Sequence, residues 1–490
     1  MSQELNGKRP VILGNVTAGL ARALVAGSSA AVLVLEILAG RLLAPYVGVS
    51  LETFTGIIGV VLAGIAAGAW AGGEIADQRD ASKLIGATLA LGGGLTWLVL
   101  PILSLLGNQF GGGGPAIIIL SFFALFLPAA VLTAISPMVA KLRLRDLSDT
   151  GAVVGGLSAA GTLGALAGTF ITGFILVSAL PTRLTVLLLG AVLVISGAAV
   201  HGYVVRLIPS AGAIVLLLAS GILGVTAGRP CEHETSYFCA NIVVDDDNPS
   251  GRSLYLDGLR HAYVDLDDPS ELDIRYIRLF AQVSTALPAG PLDSLHIGGG
   301  GFSFPRYLDQ VRPGSTELVL EIDGALVDLV EQELILEQSE SFQVRVGDAR
   351  LALDALADDR FDLILGDAFA SRAVPWHLTT REFLIEVRRV LANDGIYAMN
   401  VIDGGDFDFA RAELATLRQV FPYVQVILPA DGLPERGVTN LLLVASPASL
   451  PDLEIAPEDG TLLGVVETKN FVGDAKPLRD DFAPVDQLLG

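Results

Sequence analysis

Apolar stretches long enough to cross a bilayer fill the first half of the chain, at residues 21–40, 55–73, 84–106, 116–140, 151–180, 184–200 and 208–226. Within them small residues recur every four positions, as at Gly64, Gly68 and Gly72 and again at Gly164 and Gly168. That spacing lets helix backbones approach closely where lipid offers no hydrophobic drive to packing, although ordinary glycine usage in membrane helices gives similar counts. From residue 294 the pattern changes. Short β-branched runs at 294–297, 317–322, 342–346, 361–365, 395–401 and 440–445 alternate with amphipathic stretches such as 380–391 and 407–420. Such alternation predicts a parallel sheet covered on both faces. Just before it, 242–244 and 253–256 flank a turn-rich Asp-Asp-Asp-Asn-Pro-Ser-Gly run and predict a small β-hairpin. The expected fold is an N-terminal all-α transmembrane bundle of seven helices, then an α/β Rossmann-like domain with a β-hairpin extension. The expected divisions are 1–228, 229–290 and 291–490.

Charge sharpens the division. Of 490 residues 52% are hydrophobic, and residues 1–228 hold 11 Lys+Arg against 8 Asp+Glu, whereas the remainder holds 20 against 45. The acidic half should repel nucleic acid. The first apolar run continues into a full span without a processing site, so no cleavable signal peptide is expected. Lys8, Arg9, Arg22, Arg79, Lys83, Lys141, Arg143, Arg145 and Arg206 fall on one side of a seven-span arrangement, and Arg41 and Arg183 on the other. The N-terminus is then cytoplasmic, and an odd count puts the soluble half outside the cell membrane, whereas one re-entrant or missed segment reverses the side. Glu36 lies deep in the first span, where an acid pairs with Arg41 or Arg183 or else marks a substrate or proton path. Cys231 and Cys239 are read as a local disulfide or as two inert thiols. A metal site is not expected there, since only His233 is close by as a further ligand.

The chemistry gathers at strand ends. The first strand runs into Gly298-Gly299-Gly300-Gly301, where missing Cβ atoms let the backbone turn tightly and approach a nucleotide. Glu321, at the end of the next strand, stands where a carboxylate accepts hydrogen bonds from ribose hydroxyls. Gly347-Asp348-Ala349 follows the third strand and Asp367 the fourth. Polar groups at successive carboxyl ends converge on one crevice, a geometry shared by NAD and by adenosyl sulfonium sites. No Ser–His–Asp, His-Glu-x-x-His or Walker pattern accompanies them.

At these residues the sequence resembles the spermidine synthase (aminopropyltransferase) family, in its bacterial membrane-fused branch. In the apolar half the likeness rests on Glu36-Ile-Leu-Ala-Gly-Arg-Leu-Leu-Ala-Pro45 and Gly72-Gly-Glu-Ile-Ala-Asp77. In the soluble half it rests on Leu256-Asp-Gly258, the glycine turn, Leu320-Glu-Ile-Asp323, Gly347-Asp348-Ala349, Asp362-Leu-Ile-Leu-Gly-Asp367 and Asp480-Asp-Phe-Ala-Pro484. The resemblance implies a class I methyltransferase-type fold, S-adenosylmethionine or its decarboxylated form as substrate, release of 5′-methylthioadenosine, no metal, and a homodimer. Carried over by position, Glu321 holds the ribose, Asp348 and Ala349 the adenine, and Asp367 sits beside the transferred chain as base. An inner-membrane, multi-pass location follows.

Four departures from the family pattern reshape the expectation. The acid after the glycine turn is Gly301, the glutamine beyond Leu-Asp-Gly is His261, the glutamate two after Tyr276 is Arg278, and the second acid of the Asp367 loop is Ala370. A polycation would lose binding energy in such a pocket. The sequence therefore leads to intact S-adenosylmethionine, its α-carboxylate received by Arg278 or His261, closing on itself to homoserine lactone. Aminopropyl transfer to a polyamine, methyl transfer and a non-catalytic membrane sensor are the alternatives. Trp376 and His377 lie on a loop expected over the site, for substrate contact or for loop packing; Tyr276 is read in the same two ways and, with Asp367 and Arg278, is a catalytic candidate. Arg260, Arg275 and Arg372 are read as solvated surface charges.

Overall fold

The computed structural model describes residues 16–110, 113–144, 150–205, 210–369, 374–434 and 437–489. Of the sequence expectations, those on Lys8, Arg9, Arg145, Arg206, Ala370 and Arg372 lie outside the described residues. The chain divides into two compact units, Met1–Pro230 and Cys231–Gly490.

The first unit is all helix. Ala18–Val47, Leu51–Gln78, Ala81–Leu106, Gly114–Arg143, Thr150–Ala179 and Thr182–Val204 are long and apolar enough to cross a membrane, and Ala211–Thr226 is a shorter apolar helix. This last one has 16 residues, a rise of about 24 Å against a hydrocarbon core of about 30 Å. Glycine seams bring the backbones together. A Cβ at Gly68 would strike the Ala130 carbonyl, one at Gly72 would lie 2.6 Å from Ala134 O, and one at Gly168 the same distance from Ala30 O. Arg183 does not turn to Glu36. Its guanidinium donates to the carbonyls of Gly224, Val225, Ala227 and Gly228, which lie at and beyond the end of the short seventh helix.

The second unit opens with a four-stranded antiparallel sheet: β1 His233–Glu234, β2 Cys239–Val244, β3 Gly251–Leu256 and β4 Leu259–Asp265. A disulfide joins Cys231 to Cys239 at its start. Behind it lies an eight-stranded sheet of β5 Asp293–Ile297, β6 Thr316–Glu321, β7 Phe342–Val346, β8 Phe361–Gly366, β9 Leu391–Gly404, β10 Tyr423–Pro429, β11 Val438–Ser446 and β12 Gly460–Leu462, ordered β12-β10-β11-β9-β8-β5-β6-β7. From β7 to β9 neighbours run parallel; β10, β11 and β12 pair antiparallel. The sheet is thus mixed rather than parallel throughout, because the chain returns from β10 to β11 without a crossover helix.

Central strands are buried on both faces, as their near-continuous Leu, Ile and Val content requires. One face packs Leu295, Ile297 and Ile364 against the helices Arg381–Val390 and Asp408–Val420. The other packs Leu363 and Leu365 against Arg275–Thr285 and Ser303–Val311. The small sheet docks through Leu254, Ala262 and Val264 onto Phe302 and Leu326. Its third and fourth strands thereby reach the carboxyl ends of β5 and β6.

Candidate active site

Chain order reverses direction at β5, which lies between β6 and β8, so the crossovers leave a crevice at their carboxyl ends. Gly298 turns there with φ +96°, and a Cβ on it would press into the Asp367 backbone. Asp367 N–H in turn donates to Ile297 O at 2.8 Å, so β8 delivers its terminal carboxylate directly beside the glycine turn. Glu321 accepts from Gly299 N–H at 2.8 Å, Gly300 N–H at 3.3 Å and Asp323 N–H at 2.9 Å. The turn and the acid of the next strand therefore fix each other, and burial still pushes the Glu321 carboxyl up despite those donors. Asp348 caps the helix Ala349–Leu353 through Arg350 N–H at 2.8 Å and faces His377 Nε2 at 3.3 Å. Arg350 reaches on to the His377 carbonyl and to Asp480, which ties the covering loop to the C-terminal Asp-Asp-Phe-Ala-Pro run.

These residues line one cleft of about 1070 Å³, counting its open mouth. Gly298, Gly300, Gly301, Glu321, Asp348, Ala349, Asp367, His261 and Tyr276 all border it. His377 borders it too; Trp376 does not, and is 51% exposed. The hairpin sheet supplies a wall through Leu256 and Ala262. Gly301 backs onto Ala262, whose Cβ would lie 2.5 Å from any side chain added there. An acid at 301 has no room while β4 holds this position, which accounts physically for that departure.

At the cleft's inner end Asp367 is bracketed by two donors. Tyr276 Oη lies 3.1 Å from Oδ2 and Asn400 Nδ2 lies 2.9 Å from Oδ1. Burial raises the Asp367 carboxyl to about 7, while the Asn400 and Tyr276 hydrogen bonds pull the other way. The same burial, with the nearby Asp367 charge, holds the Tyr276 phenol well above its usual range, so Tyr276 acts as a donor. Desolvation lowers His261 to about 4, leaving a neutral imidazole at pH 7.

Arg278 is not in the cleft lining. Its Nε donates to Asp459 at 2.8 Å, a second nitrogen lies 2.7 Å from the same carboxylate, and a third meets the carbonyls of Leu272 and Asp273. The expected receiver of an α-carboxylate is thus committed to a buried acid elsewhere. No Arg or Lys lines the cleft among the described residues. Arg260 and Arg275 are not simply solvated either: they pair with Asp273 and Asp431. Asn400 is the neighbour of Asp367 that motif reading overlooked. Its signal was a polar residue at the end of an apolar strand, in Ala398-Met-Asn-Val-Ile402.

No protein-family model matches the chain. A polyamine aminopropyltransferase of Vibrio vulnificus is 28% identical over 214 residues, 40% of this chain and 69% of that one. An eEF1A lysine and N-terminal methyltransferase of Xenopus laevis is 27% identical over 147 residues, 28% of this chain and 21% of that one. Among solved structures, a probable spermidine synthase from Corynebacterium glutamicum superposes with a TM-score of 0.48 at 25% identity, over 52% of this chain and 97% of that one.

Proposed function

The C-terminal unit is related to the spermidine synthase (polyamine aminopropyltransferase) family, and from that premise we propose that the protein transfers an aminopropyl group from decarboxylated S-adenosylmethionine to an amine. The amine lone pair attacks the chain carbon beside the sulfonium. The new N–C bond forms as the C–S bond breaks, and the bonding pair stays on sulfur, releasing neutral 5′-methylthioadenosine. Asp367 takes the proton shed by the new ammonium. The remaining work is alignment: the glycine turn and Glu321 hold the nucleoside, and Tyr276 and Asn400 hold the base.

The observation that carries this reading is the Tyr276–Asp367–Asn400 set, a carboxylate raised to about 7 in the cleft formed by the glycine turn and Glu321. A base near the operating pH is the one general catalysis favours. The lining also favours the decarboxylated donor. Intact S-adenosylmethionine carries a carboxylate, and the described lining offers no guanidinium or ammonium to receive it, with Arg278 held by Asp459. This counts against cyclisation to a lactone. The protein is proposed to work as a multi-pass inner-membrane enzyme, with the sulfonium and the bilayer as partners and a homodimer as its assembly.

The test is mass spectrometry of products from the purified full chain. Decarboxylated S-adenosylmethionine plus an amine should yield methylthioadenosine and the aminopropylated amine. Methylthioadenosine formed from intact S-adenosylmethionine alone, without amine, would overturn the proposal in favour of ring closure.

A further inference from the structure

Beyond Asp367 lies a second cavity, bordered by Arg260, Asn400, Val438, Thr439 and Asn440, which shares His261, Tyr276 and Phe369 with the nucleoside cleft. An acceptor approaching the carbon beside sulfur from the side away from the nucleoside would occupy it. Asn400 bridges the two spaces, donating to Asp367 at 2.9 Å and accepting from Asn440 Nδ2 at 2.9 Å. The end of a four-carbon amine remote from Asp367 would then lie near Asn440 and Thr439.

The chemistry of that far end differs from what a diamine needs. No Asp or Glu borders the second cavity among the described residues. Guanidinium groups stand there instead. Arg260 is part of the wall, and Arg275 backs Thr439 through a 3.3 Å hydrogen bond to its hydroxyl. Each is ion-paired, Arg260 to Asp273 at 2.5 Å and Arg275 to Asp431 at 2.8 Å, so the far end offers guanidinium donors and no unpaired negative charge among the described residues. At the junction, His261 Nε2 is buried with no hydrogen-bond partner among the described residues. It is an unclaimed polar atom where the attacking nitrogen would pass.

Resting on the aminopropyl-transfer reading, we propose that the acceptor is a primary monoamine whose far end is a hydroxyl or an acidic oxygen group, not a second ammonium. Asn440, Thr439 and the Arg260 guanidinium would receive such an oxygen, with Arg275 holding Thr439 from behind. A second ammonium would meet neutral amides and a guanidinium, with no carboxylate among the described lining, and would forgo the charge-assisted bonds that make polycation sites tight.

Three acceptors of one carbon length separate the possibilities: 1,4-diaminobutane, 4-aminobutan-1-ol and 4-aminobutanoate, each given to the full-length protein with decarboxylated S-adenosylmethionine. The expected result is a kcat/KM for the alcohol or the acid at least about tenfold above the diamine, a difference of about 1.4 kcal/mol. A diamine equal to or better than both overturns the acceptor assignment while leaving aminopropyl transfer intact. Absence of methylthioadenosine with every acceptor removes the transfer reading and this one with it. Val438→Glu supplies the second measurement, since Val438 borders the cavity and is 43% exposed. The variant should raise diamine kcat/KM about tenfold relative to the alcohol. Unchanged relative rates would show that the far end does not lie there.

Discussion

The base proposed at Asp367 rests on a balance of opposed effects on one carboxylate. Burial raises it to about 7, and donation by Asn400 and Tyr276 restrains the rise. A hydrogen bond to a charged group contributes about 1.5–3 kcal/mol, and one pKa unit corresponds to about 1.4 kcal/mol. Asn400→Leu should therefore move the acid limb of kcat/KM upward from near pH 7 by about one unit. In the proposed transfer, activity requires the ionised base and is lost as pH falls through its pKa, so the variant should be the weaker enzyme at pH 7 and converge on wild type above pH 9. A pH–rate profile with one fixed acceptor reads this directly. Arg278 gives the contrasting case. Because it pairs with Asp459, which is 3% exposed, Arg278→Ala should cost about 1–3 kcal/mol of stability and leave KM for the sulfonium within twofold. A large rise in KM would put Arg278 back at the substrate.

Among elements, the glycine seams and one buried acid carry the clearest consequences. Gly68 sits against the Ala130 backbone, whereas nothing lies within 4 Å of the Cβ position at Gly73 on the same helix. Gly68→Ile should reduce yield and thermal stability of the detergent-purified protein, and Gly73→Ile should leave both near wild type. Equal effects would show that helix propensity, not backbone approach, decides. In the soluble unit Glu413 is fully buried on Asp408–Val420, and neither carboxylate oxygen finds a hydrogen-bond partner among the described residues. Desolvation raises its pKa well above normal. The folded state then holds a proton that the unfolded state releases above about pH 4.5, so stability falls as pH rises from there toward the folded value. Glu413→Met should raise Tm more at pH 8 than at pH 4, at roughly 2–4 °C per kcal/mol for a unit of this size. The helices 381–390 and 408–420 and most strands were legible from periodicity alone. β1, β4, β10 and β12 were not; β1 and β12 are two and three residues long, and the mixed burial along β4 and β10 is set by the neighbours they pack against.

For the whole molecule, six long apolar helices predict retention in the membrane fraction after an alkaline carbonate wash, and release there would refute integral insertion. The side on which the acidic unit emerges turns on Ala211–Thr226, because one further crossing reverses the parity. The sequence by itself determined the division into an apolar half and an acidic α/β half. It also determined the rhythm that sets a glycine turn, Glu321, Asp348 and Asp367 at successive strand ends, since hydrophobic period and strand-end position are local properties. Only the tertiary structure decided which charges border the cleft. Arg278 meets an acid 181 residues away, and Tyr276 meets Asp367 across 91. Partners so distant in sequence leave no local pattern, and a side chain's charge says nothing of its direction until the fold has closed around it.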